Sequence, residues 1–66
     1  MNGDLLKAEI IRRGMKVSEV AKKIQISQPS LSQRLAGVRE FKNSEIADLM
    51  ELQNLTPEET VAIFFK

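Results

Sequence analysis

The sequence predicts an all-α fold: one compact domain over residues 1–66, built from five short helices. Apolar residues recur at three- and four-residue spacing, with no alternating run and no Val/Ile/Thr-rich segment between hairpin turns. Helix-start and helix-stop residues divide that pattern into five stretches. Length supplies the third observation. A chain of 66 residues holds a single domain, and short helices joined by short loops suit a core this small. A composition 42% hydrophobic and 29% charged belongs to a chain that folds, not to a disordered one.

The first helix is expected from Asp4, an N-cap residue type, through Leu6 and Ile10. Arg12 and Arg13 fall in its last turn, where cations suit the helix dipole, and Gly14 ends it. The second carries Val17, Val20, Ala21 and Ile24 as an amphipathic stripe. Ser27-Gln28-Pro29-Ser30 starts a third, with Ser27 or Gln28 as its cap, which runs to about Ala36 and is closed by Gly37. After a loop from Val38 to Lys42, Asn43 or Ser44 is expected to cap a fourth helix bearing Ile46, Leu49 and Met50, with Leu52 and Leu55 covering its end. Thr56-Pro57-Glu58-Glu59 combines a capping hydroxyl, a proline at the first helical position and a glutamate at the third, and opens the fifth.

That last helix contains Val61-Ala62-Ile63-Phe64-Phe65, with no polar residue, and a helix apolar all round is buried all round. Val61 and Phe64 are expected to close the core. Ile63 and Phe65 are then candidates for a two-fold interface between copies; the alternative is that all five cap a monomer core.

The chain has neither cysteine nor histidine, which removes disulfides, thiol nucleophiles, imidazole bases and nearly every transition-metal site. No cofactor and no metal are expected. Asp48, Glu51, Glu58 and Glu59 read as helix-surface carboxylates rather than an acid/base pair, and so short a chain offers no water-excluding pocket for a small-molecule ligand. The expectation is a protein that is not an enzyme. No apolar run nears the ~18 residues of a membrane span and no signal-peptide pattern opens the sequence, so a soluble, cytoplasmic protein is expected.

The overall charge of +1 is unevenly spread. Residues 1–39 hold eight basic side chains against three acidic, whereas residues 40–66 hold two against six. One part suits a polyanion and the other turns away from it.

Two helices separated by three or four residues, with the small Ala21 on the buried face of the first, meet the requirement of a helix-turn-helix. Val20, Ile24, Ile26 and Leu31 would fill the angle between them. The stretch from Gly14 to Gly37 resembles the motif of the lambdoid phage repressor and Cro proteins, the xenobiotic-response-element family. Arg39-Glu40-Phe41, Ser44-Glu45-Ile46, Leu55 to Glu59 and Phe64-Phe65 extend the resemblance over essentially the whole chain, toward small Cro-like proteins of phages of Gram-positive bacteria.

The resemblance implies a transcriptional regulator, a Cro-like repressor acting in the bacterial host cell, that binds a double-stranded DNA operator as a homodimer and reads the major groove with its third helix. Gln28, Ser30 and Gln33 match the family's base-reading positions, and a glutamine amide can pair in bidentate fashion with adenine. Pro29 is open to a thymine-methyl contact or a purely structural role at the helix start, and Ser32 to a base or a phosphate. Lys16, Val17, Arg39, Lys42 and Asn43 match backbone-contacting positions. Gln25 stands where the family usually has glycine, so a left-handed conformation there would cost about 1 kcal/mol. Arg34 stands where many members are apolar, with its guanidinium expected to reach solvent or phosphate while Leu35 takes over the packing. A protein-interaction module on the same fold, of antirepressor or antitoxin-like type, is the alternative.

Overall fold

Glutamate carboxylates and capping hydroxyl or amide groups set where the helices begin. The computed structural model describes residues 1–66 as five helices: α1 (Gly3–Arg12), α2 (Val17–Lys23), α3 (Gln28–Leu35), α4 (Asn43–Leu52) and α5 (Pro57–Phe64). Asn2, not Asp4, caps α1, its Oδ1 accepting from the Leu5 amide at 3.0 Å. Asp4 instead lies in the first turn, where its charge meets the positive end of the dipole. At α3 the cap is Ser27, whose hydroxyl accepts from the Ser30 amide. Thr56 and Glu59 close the reciprocal box at α5, at 2.9 and 3.1 Å.

Helices α2 and α4 start differently. The N-cap residues are Lys16 and Lys42, whose ammonium groups have no lone pair to offer. Glu19 and Glu45, three residues on, each accept the N-cap amide at 3.0 Å. This return half of the box fixes the N-cap of α4 at Lys42, one residue before Asn43, and displaces both Asn43 and Ser44 from the expected capping role.

Leu6 and Ile10 of α1, Val20 and Ala21 of α2, Leu31 of α3, Leu49 of α4 and Ile63 and Phe64 of α5 converge in one core, joined by Ile24 and Leu55 from the turns. The α1 helix packs on α2, α3 and α5. Its first residue is a glycine because a Cβ on Gly3 would overlap the carbonyl of Leu35, so α1 and the end of α3 approach as backbone against backbone. Phe41 meets Phe64 edge-on, with centroids 5.5 Å apart, and closes the side between α5 and the loop before α4.

The rotation of α5 corrects the expectation for its apolar run. Ile63 is fully buried, whereas Val61 is 43% and Phe65 67% exposed. Thr60, Ile63 and Phe64 form the inner face. The Thr60 hydroxyl is buried at little cost because it donates to the Thr56 carbonyl at 2.9 Å. Ile63 also accepts the Asn2 amide on its carbonyl, and the Met1 ammonium donates to the Lys66 carbonyl at 3.0 Å. Ile63 is therefore core and offers no surface to a second copy.

Two polar links cross the fold. Glu9 bridges Arg12 of α1 and Arg13 at its C-cap, and Arg13 also reaches Glu59 of α5 at 3.3 Å. Gln53, buried at the end of α4, donates through Nε2 to the Met15 sulfur at 3.4 Å while its Oε1 has no partner. No helix is long and apolar enough to cross a membrane.

Candidate nucleic-acid interface

The turn between α2 and α3 is compact because each of its residues has a local task. Ile24 ends α2 with its side chain in the core, and Gln25 takes a left-handed φ of 64°. The Ile26 amide returns to the Ala21 carbonyl at 3.0 Å, and Ser27 caps the next helix. Ala21, 2% exposed, lets α3 lie close across α2, and Leu31 fills the angle from the other side.

At 100° per residue, the exposed residues Gln28, Pro29, Ser32, Gln33 and Ala36 share an arc of about 140° on the outer side of α3. It carries no charge. Ser30 stands at the edge of that arc, half-buried, and its Oγ accepts from the Ser27 hydroxyl at 2.8 Å. The structure thus brings Gln28, Pro29, Ser32 and Gln33 onto one open face and sets Ser30 apart, at the cap.

The inner side of α3 is held by an ion pair that the sequence did not reveal. Arg34 is 8% exposed; its Nε donates to Glu45 Oε1 at 2.9 Å and its Nη1 to the Ser30 carbonyl at 3.1 Å. The same Glu45 oxygen accepts the Lys42 amide. The expected reach of Arg34 to solvent or phosphate is therefore overturned: burial beside α4 demands a counter-charge, and Glu45 supplies it. A continuous set of hydrogen bonds runs from the α3 backbone to the start of α4.

Candidate phosphate-contacting side chains flank the open face. On one flank Lys7 of α1, together with Asp4, lines the same groove as Val17, Gln28 and Ser32. Lys16 is exposed at the start of α2, and the Val17 side chain packs against the core, which leaves its main chain as the polar group there. On the other flank the amides of Val38 and Arg39 both donate to the Gln33 carbonyl, at 2.9 and 3.3 Å. This ties the loop holding Arg39, Lys42 and Asn43, all exposed, to α3 itself. Lys7 was absent from the sequence expectation because its place depends on how α1 crosses α3. A periodicity within α1 cannot show that.

Ion pairing divides the cations. Arg12, Arg13 and Arg34 are engaged by Glu9, Glu59 and Glu45. Lys7, Lys16, Lys22, Lys23, Arg39 and Lys42 have no carboxylate within salt-bridge distance and are free for an external anion.

Two helices at a tight crossing, with the outer face of the second open and cations to either side, define a helix-turn-helix domain. The family model of the Cro/C1-type HTH DNA-binding domain matches residues 5–63, and the chain belongs to that family of DNA-binding regulators. No curated protein and no solved structure matches it.

Proposed function

We propose that this chain is a sequence-specific repressor of the Cro type, of the kind made by phages of Gram-positive bacteria and working in the host cytoplasm. It acts by occupying operator DNA, without catalysis, and binds as a homodimer with α3 of each copy in the major groove. The observation that carries this reading is the uncharged polar face of α3, bordered on both sides by cations that no carboxylate engages. Gln28 and Gln33 supply amides that match the donor and acceptor edge of adenine, and Pro29 and Ser32 lie beside them within reach of thymine methyls and base edges. Ser30, a base-reading position by resemblance, acts here through the α3 cap. Lys16, Arg39, Lys42 and Asn43, with Lys7 and the Val17 main chain, hold phosphates and fix the register.

Selection of bound duplexes from a random pool at about 100 mM salt, where phosphate attraction is already partly screened, tests the proposal. The expected result is a two-fold symmetric site with half-sites about one helical turn apart. Absence of enrichment by the folded protein overturns it in favour of a protein-interaction module. Arg39→Ala should weaken binding to all duplexes and reduce the salt slope by about one unit, whereas Gln33→Ala should relax preference at one base position. Fluorescence anisotropy across a salt series and a panel of single-base variants separates the two effects.

A further inference from the structure

Helix α3 holds one cation, and the fold takes it off the outer face: Arg34 lies 8% exposed against Glu45. What remains on the open arc is two glutamine amides, one hydroxyl, a proline ring and a methyl group. At 100° per residue Gln28 and Gln33 stand at the two edges of that arc, with Ser32, Ala36 and Pro29 between them. Neither glutamine amide makes a hydrogen bond within the chain, in contrast to Gln53, whose amide is bonded in the interior. Their main chain is fixed nonetheless. Ser27 caps the helix beside Gln28, Pro29 sets the next φ, and the Gln33 carbonyl accepts the amides of Val38 and Arg39 at 2.9 and 3.3 Å. Two unengaged amides are thus carried on an anchored backbone, about 7.5 Å apart along the helix axis.

We propose that binding is controlled by methylation of the DNA, with N6-methyladenine in the half-site excluding this protein. The inference rests on the base reading above and adds a regulation of the same site. Guanine is read chiefly by the paired donors of arginine or lysine, and the arc has neither. A glutamine amide is complementary to adenine: its Oε1 accepts from the N6–H while its Nε2 donates to N7. Of the two N6 hydrogens, one is held in the pair with thymine and the other projects into the major groove. A methyl group on N6 of a paired adenine therefore replaces the hydrogen that the glutamine needs. The amide oxygen is then left without a donor at a contact from which water has been expelled, the costly half of a lost hydrogen bond. The ring of Pro29 and the methyl of Ala36 offer no donor in its stead. An arginine on this face would pair with guanine, whose O6 and N7 the modification does not touch. The burial of Arg34 against Glu45 is therefore what leaves the reading of bases to the methylation-sensitive pairs.

Anisotropy with the duplex selected from an unmodified random pool tests this. The duplex is synthesised with N6-methyladenine in place of the adenine, in one half-site, whose preference Gln33→Ala relaxes, and again with the modification outside the half-sites. Wild type should bind the first roughly 5- to 150-fold more weakly than the unmodified duplex, the loss of one bidentate pair, and the second unchanged. Gln33→Ala, a change on an exposed side chain, should bind the first and the unmodified duplex alike, with circular dichroism melting to check that it is folded. Equal or tighter binding of the methylated duplex by wild type overturns the proposal. So does an equal loss in Gln33→Ala, which places the effect in the duplex rather than in the amide. A selected site in which Gln33→Ala relaxes no adenine overturns it too and leaves the DNA reading standing. Absence of any selected site with the folded protein overturns the DNA reading and this inference with it.

Discussion

Gln25 occupies the position of the turn where a side chain is least welcome. Its φ of 64° places Cβ against its own carbonyl, at a cost of about 1 kcal/mol that glycine would not incur. Asn54, at φ 51°, takes the same conformation after α4, but its short amide side chain tolerates it better. Gln25→Gly should therefore raise the melting temperature by several degrees, about 4–8 °C per kcal/mol in a domain this small, with helix content unchanged by circular dichroism. This strain was legible in advance through the resemblance, since Gln25 stands where the family usually has glycine. The burial of Arg34 was not. An arginine at i+3 from Leu31 reads as a side chain at the edge of a helix face, and only the position of Glu45, eleven residues on, makes it a core residue. Gln53 escaped for a related reason: its partner is the Met15 sulfur, 38 residues away in the sequence.

At the scale of helices, apolar stripes marked α1, α2 and α4, and cap and proline signals marked α3 and α5, but no polar residue sets the phase in the second half of α5. There, five consecutive apolar residues carry no phase, and Ile63 and Val61 exchanged their expected places. What decides the phase is the seat of α1, through Asn2 and Ile63. The start at Thr56 was read outright, that at Ser27 was one of two candidates, and the start of α4 was missed because a glutamate within the helix does the work. Glu45 has two duties, capping α4 and neutralising Arg34. Arg34→Ala should cost about 3–5 kcal/mol in urea unfolding because it leaves a buried carboxylate alone, while Arg34→Met with Glu45→Leu should recover much of that. The double variant should still show altered base preference, since the α3 backbone loses its hydrogen-bonded link to α4. Glu59 gives a pH signature. The Thr56 amide holds its carboxyl below the usual 4.5; desolvation opposes this, and Arg13 and the Thr56 hydroxyl add to the lowering. A lowered folded pKa stabilises above the unfolded value and is lost as pH falls through the folded one. Stability should therefore drop as pH falls below the usual carboxylate value of 4.5 toward the lower folded one, and Glu59→Gln should flatten that limb of the thermal melting curve.

For the whole molecule, the sequence places basic residues early and acidic residues late, and folding adds a second sorting within the basic set. Three arginines are spent on α4, α5 and the neighbouring turn of α1, and the remaining cations border the open face of α3 or the α2 surface. The unpaired charge beside the open face of α3 is thus smaller than the composition of residues 1–39 indicates, and local. The contact between the Met1 ammonium and the Lys66 carbonyl has a different consequence, one of connectivity. Residues 1 and 66 meet in space, so the backbone path is nearly a ring. A circular permutant that joins them through a short linker and opens the chain between Val38 and Glu40, both exposed, would retain every helix. It should fold to the same helical spectrum while freeing the segment beside Arg39.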